Sequence, residues 1–149
     1  MPVEIRPLSV LDKAQWQDLW TAYLGFYGTN VSAEIYETTF DRLLGDDPRD
    51  FSCLVAVAND QLVGLTHYLF HRHAWKTEDV CYLQDLYATP ETRGTGVGRA
   101  LIEAVYAAAD QHGTSSVYWL TQSDNTNARQ LYDRIGELTP FLKYQRAAT

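Results

Sequence analysis

Along this chain the hydrophobic positions change their period several times, and the changes mark out ten elements. Val3 and Ile5 alternate with Glu4 and Arg6, which predicts a short strand from Val3 to Pro7. After Ser9 the spacing shifts to threes and fours. Leu11, Trp16, Leu19, Trp20, Tyr23 and Tyr27 fall on one helical face, and Gly28–Asn30 breaks the run. A second helix is expected after Ser32 as N-cap, with Ile35, Phe40, Leu43 and Leu44 on its apolar side and Gly45 with the following DDP turn as its stop.

The period then falls to that of strands. SCLVAVA and QLVGLTHYLFH flank Asn59-Asp60, two residues that tolerate the left-handed turn, and together they read as a hairpin. VCYLQDLYA adds a third strand to this meander. Helical spacing returns from about Val97 to His112, with Val97, Leu101, Ala104, Val105 and Ala108 as the buried stripe and Gly113 as the end. SSVYWLTQ is a further strand, Asn125 to Ile135 a short helix with Ala128, Leu131 and Ile135 inward, and Pro140 to Gln145 a last strand. The order is β, α, α, three antiparallel strands, α, β, α, β. A mixed α/β arrangement, with a mostly antiparallel sheet covered by helices on both faces, accommodates it.

Composition narrows the picture. The 149 residues suit one domain spanning 1–149, with enough chain for a real core and no repeat or linker-like segment. The formal net charge of −7 argues against nucleic-acid binding, which needs a basic stripe, and is compatible with a cationic small substrate. Cys53 and Cys81 both lie in strand-like runs and are expected as buried free thiols, and no His/Cys cluster has metal-ligand spacing. No apolar stretch approaches the roughly 20 residues of a membrane span, and MPVEIRPLS has no signal-like core, so a cytoplasmic protein without membrane partners is expected.

The richest chemistry lies in YLQDLYATPETRGTGVGRALIEAV, from Tyr82 to Val105. A strand that delivers a glycine-rich turn to a helix N-terminus makes an anion site, because unpaired amides and the helix dipole both favour negative charge. Glycine admits positive φ and close approach of phosphate oxygens, and Arg93 and Arg99 add charge. A Walker A loop needs a lysine that is missing here. The dinucleotide fingerprint needs a third glycine where Arg99 stands.

R-x-x-G-x-G, formed by Arg93, Gly96 and Gly98, does fit, and it resembles the acetyl-CoA pyrophosphate loop of the GCN5-related N-acetyltransferases. NTNARQLYDRIG, from Asn125 to Gly136, is similar to that family's N-x-x-A-x-x-L-Y-x-x-x-G segment, and Gly64 matches the glycine of its central hairpin. Within the family, YLQDLYATPETRGTGVGRALI and LYDRIG…FLKYQR look closest to the small histone, polyamine and related amine acetyltransferases.

The resemblance implies an acetyl-CoA-dependent N-acetyltransferase acting on a primary amine by direct attack in a ternary complex. A small cationic amine or polyamine is favoured, with amino acids and protein lysines also open. It implies cofactor contacts along Leu86, Tyr87 and Ala88, at Arg93, Gly94, Thr95, Gly96, Val97, Gly98 and Arg99, and at Asn125 and Ala128, with a splayed strand pair holding the pantetheine arm. Asn125 is also a natural N-cap. Tyr132 takes the place of the tyrosine that protonates the leaving thiolate, a role open to a phenol that stays protonated at neutral pH.

The base is harder to assign. Some relatives carry a glutamate where Gln84 stands, and an amide cannot accept the proton. Asp85 is the alternative. Plain alternation sends it to the face opposite Tyr82 and Gln84, although a β-bulge would re-aim it. It would hold the ammonium while a water chain removes the proton, or no dedicated base exists.

His67, His71 and His73 are expected to be solvated or to structure the loop, with His67 a reserve base. Tyr23, Phe26, Tyr27 and Tyr36 form either an aromatic acceptor wall or ordinary core. A rival reading is a cofactor-binding regulatory domain of the same fold with weak catalysis. FLKYQR is also an edge through which a homodimer would complete a shared sheet.

Overall fold

The computed structural model describes residues Pro2 to Ala148. Five strands form one sheet in chain order: β1 (Glu4–Pro7), β2 (Ser52–Ala58), β3 (Gln61–His71), β4 (Val80–Ala88) and β5 (Val117–Tyr118). All neighbours are antiparallel except β4 and β5, which run parallel. The helices are α1 (Lys13–Phe26), α2 (Ala33–Leu43), α3 (Val97–His112) and α4 (Thr126–Ile135).

Local chemistry sets each boundary. Ser9 accepts from the Leu11 amide while the Asp12 carboxylate accepts from the Ser9 amide at 2.8 Å, a capping box on the single turn that leads into α1. Arg6 of β1 closes on Asp12 at 2.7 Å and ties the first strand to this cap. Leu11, expected on the buried face, sits in that turn and is 90% exposed, so the helical stripe starts at Trp16. Ser32 caps α2 as expected. Asn59 and Asp60, with φ of 50° and 62°, make the left-handed turn of the β2–β3 hairpin.

Two cores lie on opposite faces of the sheet. Trp16, Leu19 and Phe40 of α1 and α2 pack against Val55 and Leu65. On the other face Ile102, Val105 and Ala109 of α3 pack against Tyr68, Cys81 and Leu83. The stripe on α3 is therefore rotated from expectation: Ile102 and Ala109 are buried, and Ala104 and Ala108 are only half-buried. At Gly64 a Cβ would stand 3.0 Å from both Tyr87 O and Val97 Cγ1, so the missing side chain lets α3 seat on β3. Cys53 and Cys81 are buried free thiols; burial pushes Cys53 well up and Cys81 to about 11.

Two expected strands differ. SSVYWLTQ is strand only at Val117–Tyr118, because β5 meets β4 at Cys81 and Tyr82 and then diverges from it. Beyond that point Leu86, Tyr87 and Ala88 pair with β3 on one side and face an opening on the other. Pro140 to Gln145 is not a strand. It pairs with none of the five strands, and Phe141, Leu142 and Tyr144 are 81%, 81% and 90% exposed.

Candidate active site

A cleft of about 690 Å³ opens where β4 and β5 splay, walled by the C-terminal end of α1, the last residues of β4, the loop before α3, and α4. Gly94 and Gly96, with φ of 79° and 91°, take a conformation that L side chains rarely adopt, and a Cβ on either would point into open space. The first α3 residues, Val97, Gly98 and Arg99, line the cleft. The Ala100 amide donates to Gly96 O at 2.9 Å, whereas the amides of Val97, Gly98 and Arg99 have no partner among the described residues.

Charge is sorted within the cleft. Arg93, Arg99 and Arg134 line it, and no carboxylate among the described residues does, in a chain whose formal net charge is −7. Arg93 lies 5.9 Å over the Tyr87 ring, and Arg99 bonds Glu103 at 2.8 Å from the following turn. Such a cleft suits a polyanion with an apolar stem. Arg134 was not singled out from the sequence, where it reads as a solvated helix residue.

Most of the expected cofactor residues come together here: Leu86, Tyr87, Ala88, Arg93, Gly94, Gly96, Val97, Gly98, Arg99, Asn125 and Ala128. Thr95 does not, since its amide and hydroxyl both turn back to Thr92 O. Asn125 makes no side-chain cap to α4, contrary to the capping expectation. Its Nδ2 donates instead to Thr121 Oγ1 at 3.2 Å, at the cleft wall. Tyr132 lines the cleft on α4 with its ring against Trp119, centroids 5.5 Å apart. Burial, then the neighbouring Tyr27, pushes its phenol up to about 12.

The second centre lies on the α1 face of β4. His67 pairs with Asp85 and Tyr68 with Leu83, so Gln84 is an extra residue and forms a β-bulge. Cys81 and Leu83 therefore face α3, while Asp85 turns toward α1 on the same side as Tyr82. Plain alternation is overturned, and the re-aimed carboxylate is what the chain contains. Asp85 is 9% exposed. Its Oδ2 accepts from Trp20 Nε1 at 3.3 Å and meets His67 Nδ1 at 2.8 Å, while Thr66 Oγ1 donates to its carbonyl at 2.8 Å.

Three tyrosines surround this carboxylate. Burial raises the phenols of Tyr23, Tyr27 and Tyr82, and the Asp85 charge raises each further. Tyr27 stands between the two centres, within electrostatic reach of Asp85 and of Tyr132. Tyr23, Phe26 and Tyr27 wall the cleft. Tyr36 packs edge-on against Trp16 and Trp20 in the core instead. Tyr82 and Gln84 do not line the cleft, and Tyr82 stacks on Tyr118 at 4.8 Å.

Of the histidines, His73 accepts from the Trp75 amide in the loop, as expected, and His71 holds the Tyr118 hydroxyl at 2.8 Å. His67 departs from the solvated reading: it is 3% exposed and accepts from Trp16 Nε1 at 3.0 Å. Sequence reasoning assigned Trp16 and Trp20 to packing alone. The available signal was that two buried indoles four residues apart need two acceptors on the facing strands.

The Acetyltransferase (GNAT) family profile matches residues 14–136. The D-amino-acid N-acetyltransferase HPA3 of Saccharomyces cerevisiae is 36% identical over 145 residues, which are 97% of this chain and 90% of that protein. Thialysine N-epsilon-acetyltransferase of Bos taurus is 35% identical over 75 residues, 50% of this chain and 44% of its own. Among solved structures, the ribosomal-protein-alanine N-acetyltransferase of Brucella melitensis biovar Abortus 2308 superposes with a TM-score of 0.82 at 20% identity, covering 99% of this chain and 100% of that one. The aminoglycoside N-acetyltransferase AAC(6′)-Iy in complex with CoA gives 0.83 at 18% identity, covering 99% and 96%. A mixed sheet that splays beside a glycine-rich helix start, with these relatives, makes the chain an N-acetyltransferase of the GNAT family.

Proposed function

We propose that this enzyme, as a single domain over residues 1–149, uses acetyl-CoA to acetylate a small primary amine by direct attack in a ternary complex. The observation that carries the reading is the segregation of charge in one place. Free amides and arginines occupy one part of the cleft, and a buried carboxylate ringed by three tyrosines lies behind another. The first set suits a pyrophosphate, the second an ammonium group.

The amides of Val97 to Arg99, with Arg93, would hold the anionic end of the cofactor, and Leu86, Tyr87 and Ala88 would lie along its pantetheine arm. When bound, the cofactor supplies an acetyl thioester. Asn125 and Ala128 close the wall from α4. Tyr132, protonated through the whole neutral range, holds the proton that a departing thiolate requires. Asp85, behind the tyrosines of the cleft wall, would hold the acceptor as its ammonium, which must pass one proton to solvent through a water chain before the neutral amine attacks, while Tyr23 and Tyr27 narrow that approach.

HPA3 is described as a D-amino-acid N-acetyltransferase and the bovine relative as a thialysine one, so amino acids belong in the acceptor panel beside polyamines. Titration calorimetry with acetyl-CoA, followed by CoA-thiol release across that panel, tests the reading. Tight binding with no release above background would favour the rival, a cofactor-binding domain with weak catalysis, which the amide at the Gln84 bulge supports. The exposed apolar side chains of 138–144 support a homodimer built through this tail. No helix among the described residues is long and apolar enough to cross a membrane, and a cytoplasmic location fits the proposed cofactor.

A further inference from the structure

The His67–Asp85 pair is more constrained than a buried ion pair needs to be. Asp85 Oδ2 takes two donors, Trp20 Nε1 and His67 Nδ1, while Oδ1 takes neither, and the Tyr23 hydroxyl is the carboxylate's next polar neighbour. Yet no buried side-chain nitrogen or oxygen among the described residues is left unpaired. Oδ1 therefore keeps some access to solvent, in a side chain that is 11% exposed. Asp85 does not itself line the cleft; Tyr23, whose phenol its carboxylate raises, does, and so stands between the two.

Trp16 decides the state of the histidine. An indole N–H can only donate, so the 3.0 Å contact from Trp16 Nε1 requires a lone pair on His67 Nε2. The imidazole proton then sits on Nδ1, aimed at the carboxylate 2.8 Å away. The opposite tautomer would set one N–H against another and a lone pair against a carboxylate. Trp16 has no room to yield: it is fully buried, stacked on Trp20 at 5.3 Å and packed on Phe40 at 5.2 Å. Nε2 is thus occupied and sealed from solvent, which removes His67 as a base for the acceptor.

We infer that His67, held by Trp16 as its Nδ1–H tautomer, is a positioning residue that fixes Asp85 so that Oδ1 anchors the acceptor's ammonium group. This rests on the amine-acetylating reading above. Selectivity for a cationic acceptor then comes from a relay across three elements: an α1 indole sets a β3 imidazole, which sets a carboxylate re-aimed by the β4 bulge.

Three measurements test it. Long-range ¹⁵N–¹H correlation on the wild-type protein should place the imidazole proton of His67 on Nδ1, and a proton on Nε2 would overturn the inference. His67→Leu should raise KM for the amine about tenfold or more, as loss of a hydrogen bond to a charged group does. Its affinity for acetyl-CoA should stay as in the wild type. His67→Asn, whose amide N–H stands near the place of Nδ1–H, should recover most of that KM. A general base would instead leave His67→Asn as depressed in kcat as His67→Leu, and a purely structural residue would move acetyl-CoA affinity and amine KM together. Either result overturns the positioning role. A wild-type enzyme that acetylates no amine in the panel would overturn the underlying reading, and this inference with it. Turnover with both variants at wild-type KM would overturn the inference alone.

Discussion

Tyr132 is the residue on which the proposed group transfer depends most directly, and its ring and hydroxyl would have separable jobs. The ring packs on Trp119, and in the proposed mechanism the hydroxyl is the proton source. Tyr132→Phe keeps the packing, so the melting temperature and acetyl-CoA affinity should stay unchanged while kcat falls about a hundredfold or more. Burial disfavours the phenolate and raises the pKa to about 12, so the donor form persists below that value. Any change of rate with pH near neutrality must come from another group, so the shape of kcat against pH there should be the same in the wild type and in Tyr132→Phe. Asp85→Asn should raise the amine KM without weakening acetyl-CoA binding. That Tyr132 would stand at the cleft was legible from the likeness of NTNARQLYDRIG to the family segment. The face of Asp85 was not, because a bulge is set by the pairing of β4 with β3, and a single strand's alternation carries no trace of its partner.

At the scale of elements, the seating of α3 on β3 and the tie between β1 and α1 fix the walls of the cleft. Gly64→Ala would put a methyl 3.0 Å from Tyr87 O and Val97 Cγ1, and backbone cannot give way as a flexible side chain can. We expect a loss of about 1–3 kcal/mol in denaturant unfolding. Acetyl-CoA affinity should weaken as well, since Val97 opens the helix whose first residues line the cleft. The Arg6 hydrogen bond holds the Asp12 carboxyl below its usual range, helped by the Ser9 amide. A depressed carboxylate contributes stability above its unfolded-state pKa and loses it as pH falls through the folded value. Asp12→Ala should therefore cost about 1–2 kcal/mol at neutral pH, and the gap from the wild type should close as the medium becomes acidic. Helices and the central hairpin were legible because period, caps and turn residues are local signals. The end of β5 and the tail after Gly136 were not, because strand assignment there depends on whether a neighbouring edge is present.

Across the whole molecule, an acidic chain keeps a carboxylate-free, arginine-bearing cleft and sets one carboxylate behind it. Acetyl-CoA affinity should consequently fall as salt is raised, because part of it comes from the arginines and amides around the phosphates. The exposed Phe141, Leu142 and Tyr144 should be covered in solution by a second copy. Light scattering should then give a dimer, and Phe141→Asp with Leu142→Asp should shift it toward monomer. The central claim is acetyl transfer to a small cationic amine. It is tested most directly by mass spectrometry of a panel of polyamines, L- and D-amino acids and neutral alcohols incubated with enzyme and acetyl-CoA. Acetylated amine should appear in step with free CoA, fastest for acceptors that carry an accessible ammonium group. CoA release that no amine in the panel accelerates, from an enzyme that binds acetyl-CoA, would contradict it.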